Sequence, residues 1–194
     1  LGTPDEPTPR ALRRYLAEFL SDPRVVEIPR AVWWPILHGI ILNTRPAKSA
    51  AKYATVWMPE GSPLAVWTAR QTAGVAAQLA AHGHHLTVRH AMRYGNPGIP
   101  AVMDRLREEG VTQALVLPMY PQYAAATTAS VGDKLLQWAC GARRMPALRF
   151  VAEYHDDPGY IEALAQRVEH HWQANGRAER LVLSFHGVPH RSLL

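Results

Sequence analysis

Cysteine is nearly missing from this chain: Cys140 is the only one in 194 residues. A single thiol excludes an internal disulfide and a chain-internal four-cysteine iron–sulfur cluster, and it fits a reducing compartment. Long hydrophobic runs are missing too. The longest apolar stretch, residues 31–42, is 12 residues long and is interrupted by Pro35 and His38, too short to span a bilayer as a helix. Leu1-Gly2-Thr3-Pro4 has neither the charged start nor the apolar run of a signal peptide. The ends read as cut, because no initiator Met is present and the last residues run off a motif, so a fragment is expected.

Several motifs are absent as well. There is no GxGxxG, Walker A or GxSxG pattern, which removes support for dinucleotide binding, nucleotide hydrolysis and hydrolase-elbow chemistry. Basic residues are scattered without an aromatic-interleaved stripe, so no nucleic-acid partner is expected. Internal repeats and low-complexity tracts are also lacking.

What is present fits one full-sized domain with its own core. Apolar residues make up 47% and charged residues 19%, a globular balance. The 21 basic residues exceed the 16 acidic ones, and the resulting +5 favours an anionic partner. Leu12, Tyr15, Leu16, Phe19 and Leu20 recur at helical spacing and stop before Pro23. Gly61-Ser62-Pro63 opens a second helix, with Leu64, Trp67, Val75 and Leu79 on one side.

From there the pattern alternates. Strands are expected at 85–92, 114–117, 148–151 and 181–185. Helices are expected around Ile99–Leu106, over 128–139, and along Ile161, Leu164, Val168 and Trp172. Strands alternating with helices imply right-handed crossovers and a mainly parallel sheet, an α/β three-layer domain. The segment at about 7–60 breaks that rhythm and reads as a helical, apolar insert over the sheet's carboxyl edge.

Ligands of an open parallel sheet bind beyond its carboxyl ends. The residues there are Arg93 to Pro97, Pro118 to Tyr123, Glu153 to Pro158 and Ser184 to Gly187. His186 is the sharpest candidate, since it follows an apolar strand and is held by Gly187 and Pro189. A neutral imidazole there can accept a proton or bind a metal, although a hydrogen-bonded structural role is the commoner fate of a lone histidine. His82, His84 and His85 read as a solvated helix end rather than a metal site. Ser62 and Pro63 are explained by capping alone, yet a helix N-terminus near Arg45 and Lys48 also suits a carboxylate.

Taken in order, LGTP at 1–4, YLAEFLSDPRVVEIPR at 15–30, GSPL at 61–64, MRYGNP at 92–97, YPQY at 120–123, TTAS at 127–130 and SFHGVP at 184–189 resemble the ferrochelatase family. The bacterial protoporphyrin-using branch is the nearest. The resemblance implies insertion of ferrous iron into protoporphyrin IX to form protohaem, a lyase reaction in haem biosynthesis. Porphyrin and Fe²⁺ would be substrates, and no further cofactor would be needed. It implies that His186 is the pocket histidine, as metal ligand or proton acceptor. Arg93, Tyr94 and Tyr123 would line the porphyrin pocket, with Arg45, Lys48 and Ser62 near a propionate. Residues 31–42 would form the apolar lip, in peripheral contact with the inner membrane of a cytoplasmic enzyme.

The family also has a second, similar α/β domain that supplies a glutamate opposite the histidine. This chain stops at Leu194, so by itself it is expected to be inactive. A coproporphyrin ferrochelatase, another tetrapyrrole chelatase, and a non-catalytic porphyrin- or haem-binding domain are the alternatives.

Overall fold

Small polar residues followed by proline decide where the helices begin. In the computed structural model, which describes residues 1–189, the Thr8 hydroxyl accepts the Ala11 N–H at 3.3 Å and Pro9 starts helix α1 (Pro9–Leu20). Ala11, Leu12, Tyr15, Leu16 and Leu20 form its buried stripe. The helix stops at Ser21-Asp22-Pro23, as the sequence spacing predicts. Residues 30–54 then run as one continuous helical segment: α2 (Arg30–Ile36), a wider π-type turn at Leu37–Ile41, and α3 (Leu42–Ala54). Pro35 removes a backbone donor just before the wide turn, which is where such a segment is expected to yield.

These helices share a core of Leu12, Tyr15, Leu16, Leu20, Leu37, Leu42, Ala50 and Tyr94. The Trp33 indole N–H closes it by donating to the Leu20 carbonyl at 2.7 Å. Tyr94 ties this layer to a parallel ladder between β1 (Gly2–Thr3) and β2 (Tyr94–Gly95). That ladder is tight: a Cβ on Gly2 would lie 1.7 Å from the Tyr94 carbonyl oxygen.

Ser62 caps α4 (Pro63–Ala81), its hydroxyl accepting the Ala65 N–H at 3.1 Å. Next comes α5 (Ile99–Glu108), which ends before Gly110 in the left-handed conformation at φ 80°. A second parallel ladder joins β3 (Gln113–Val116) to β4 (Ala147–Phe150), with Gln113 opposite Ala147. Between them lie a wide turn at Ala125–Ala129 and α6 (Ser130–Gly141). Ile99, Met103 and Leu135 make the small core under this half. Helix α7 (Pro158–Asn175) is capped by the Asp157 carboxylate.

The fold is of the expected α/β kind with parallel strands, but it differs in extent. Among the described residues the strands form two separate two-stranded ladders, not one sheet. Residues 85–91 and 181–185 form no ladder among the described residues and are not strands there. Alternation makes a segment fit for extension, but a strand exists only where another backbone takes up its N–H and C=O groups. The 114–117 segment is half open, with Leu115 67% exposed. The apolar side of α4 is uncovered as well: Leu64, Trp67 and Val75 are all exposed.

Candidate functional site

The amino end of β2 carries the first candidate pair, Arg93 and Tyr94. Both turn inward, onto a carboxylate that sequence spacing did not single out. Asp22, in the turn that ends α1, accepts three hydrogen bonds on Oδ2. They come from Arg93 Nη2 at 2.5 Å, the Tyr94 hydroxyl at 2.7 Å and the Ser130 hydroxyl at 2.5 Å. The other carboxylate oxygen, Oδ1, accepts the Arg24 backbone N–H at 2.8 Å. Arg93 Nε donates to both the carbonyl and the hydroxyl of Ser130, at 2.8 and 2.7 Å.

Every partner in this hub is satisfied, as burial demands. Tyr94 and Ser130 are fully buried and Asp22 is 5% exposed. Burial alone would push the Asp22 carboxyl up. Hydrogen bonds from Ser130, Tyr94 and the Arg24 N–H, together with the Arg93 charge, outweigh it and hold the carboxyl below its ordinary value. Burial pushes the Tyr94 phenol up, so it stays a neutral donor. The Arg93 guanidinium also lies over the Tyr94 ring, 4.4 Å from its centroid, and Phe19 meets that ring edge-on.

Around the hub, Gly95 takes the left-handed φ of 82°, and its N–H donates to the Glu18 carboxylate at 2.8 Å. Asn96 donates to Asp5 at 3.0 Å. The LGTP, YLAEFLSDPR, MRYGNP and TTAS stretches therefore meet at one place. Asp22 and Ser130 were legible only as members of those stretches; nothing in their spacing marked them as a pair.

The remaining candidates lie elsewhere. Arg45 and Lys48 project from α3, three residues apart on its exposed side. Ser62 is buried, with its hydroxyl engaged in capping α4. Tyr123, in the loop after β3, is half exposed. His186 is exposed, with Nδ1 2.7 Å from the Gly187 carbonyl. A carbonyl can only accept, so Nδ1 carries the proton in the neutral ring and Nε2 keeps its lone pair. His186 does not follow a strand, because 181–185 forms none. His82 Nδ1 lies 2.8 Å from the Gln78 carbonyl, as a helix-end histidine should. Among the described residues no three His, Cys, Asp or Glu side chains gather into a metal cage.

The profile of the family described as Ferrochelatase matches residues 1–193. The chain belongs to the ferrochelatase family. It is 66% identical to a ferrochelatase of Methylibium petroleiphilum and 62% identical to one of Polaromonas sp., each over 193 residues. A Dechloromonas aromatica ferrochelatase is 60% identical over 196 residues. Each alignment takes in all of this chain and 53% of the relative, so the chain spans about half the length of these ferrochelatases. No helix among the described residues is long and apolar enough to cross a membrane.

Proposed function

We propose that the complete protein is a ferrochelatase acting on protoporphyrin IX, and that this chain supplies one side of its porphyrin site. The observation that carries the reading is the ferrochelatase match over residues 1–193, within which three of the matching stretches meet at the Asp22 hub and a fourth, LGTP, pairs beside it.

Metallation makes three demands. The ring must be held so that its nitrogen lone pairs face the metal, with the distortion supplied by binding elsewhere on the macrocycle. Arg45 and Lys48 on the open side of α3 suit the propionates, and half-exposed Tyr123 suits the ring wall, whereas Tyr94 is fully buried and can act only from behind Arg93. Two pyrrole protons must leave. The free Nε2 of neutral His186 is a fit acceptor for a proton, or a single ligand that leaves Fe²⁺ its other positions. The ferrous ion is a substrate, and the reading requires no resident cofactor.

The reading assigns residues 31–42 to the pocket lip. Val32, Trp34 and Ile40 stand exposed there, which supports peripheral contact with a membrane surface from the cytoplasmic side.

Anaerobic incubation of the full-length protein with Fe²⁺ and either protoporphyrin IX or coproporphyrin, followed by absorbance, tests this. Haem formed faster from protoporphyrin supports the reading. Preference for coproporphyrin would move the protein to that branch, and tight porphyrin binding without turnover would make it a carrier.

A further inference from the structure

Asp22 binds its partners in a way that bears on the charge of the site. Arg93 commits Nε and Nη2 inward, its side chain is 11% exposed and that of Asp22 is 3% exposed. The guanidinium charge is therefore cancelled by a carboxylate that is itself shielded from water, while Arg45 and Lys48 stay in solvent. We propose that Asp22 is a positioning residue of the porphyrin site: with buried Tyr94 behind it, it holds Arg93 in place and neutralises it, so that Arg93 presents no free cation to the macrocycle. This rests on the porphyrin-metallation reading above.

An arginine released from such a pair would be free to bind a substrate propionate and hold the ring in the wrong pose. Binding would tighten while turnover fell. A purely structural carboxylate behaves differently, because its loss lowers the number of working sites without changing KM.

The test uses the full-length protein, with protoporphyrin IX and its dimethyl ester as binding probes and Fe²⁺ insertion as the activity. Asp22→Asn is expected to lower kcat by about tenfold or more and to tighten protoporphyrin binding by about threefold or more, while the ester gains nothing. The tightening should vanish in Asp22→Asn/Arg93→Gln. Arg93→Gln alone should change binding of the acid and the ester equally, within about twofold.

The proposal is overturned if Arg93→Gln weakens the acid far more than the ester, or if Asp22→Asn keeps the parental KM. Should Asp22→Asn not fold, the Arg93→Gln comparison decides. A parent protein that metallates while the variants disobey these patterns sinks only the role of Asp22. A parent that never metallates porphyrin sinks the functional reading, and this proposal with it.

Discussion

Asp22 shows how much one side chain can hold together. It joins the end of α1 to the start of β2 and the start of α6. Removing one partner of a buried ion pair strands the other, so Asp22→Ala should cost the full-length protein about 3–5 kcal/mol in urea unfolding. The pH dependence has a definite sign. The folded-state pKa of Asp22 lies below its ordinary 3.8, so its contribution is complete above that value and is lost as pH falls through the lowered one. Urea melts of parent and variant should therefore differ most near neutrality and converge as pH drops below 3.8. None of this could be read from position 22 alone, because a carboxylate in a Ser-Asp-Pro turn looks like a helix stop. The phenol and guanidinium that complete it lie more than seventy residues away.

Single elements were the most legible scale, and their ends give clean tests. The Ser62-Pro63 cap and the α1 stripe appear as the sequence predicts. Ser62→Ala should cost about 1 kcal/mol by loss of the hydroxyl that satisfies the Ala65 N–H, measured in thermal or urea melts. Gly95 is a stricter case. Its φ is 82° and a Cβ there would lie 2.5 Å from the Thr3 carbonyl oxygen, so Gly95→Ala should destabilise by about 1–3 kcal/mol. Gly141, at the end of α6, has open space around it, and Gly141→Ala should be neutral or stabilising by up to about 1 kcal/mol. The two unpaired segments mark where periodicity stops informing. Residues 85–91 and 181–185 have the composition of strands, but pairing is a property of two backbones, and the sequence of one says nothing of the other.

Taken whole, the chain leaves much apolar surface uncovered: Trp67 and Val75 on α4, Leu115 on β3, Ile161 and Leu164 on α7. Exposed apolar area on this scale marks surfaces that pack against something. The relatives are about twice as long, and we propose that the rest of the protein covers these faces. Residues 1–194 expressed alone should then bind a hydrophobic dye strongly and form no haem, while the full-length protein does the reverse.

His186 keeps Nδ1 against the Gly187 carbonyl, and the reading gives its Nε2 the proton or the metal. That role is tested most directly by Fe²⁺ insertion into protoporphyrin IX by full-length protein carrying His186→Ala, with porphyrin binding measured in parallel. We predict that turnover falls by about a hundredfold or more while porphyrin binding stays within a few-fold of the parent. Metallation at the parental rate in His186→Ala would contradict the account.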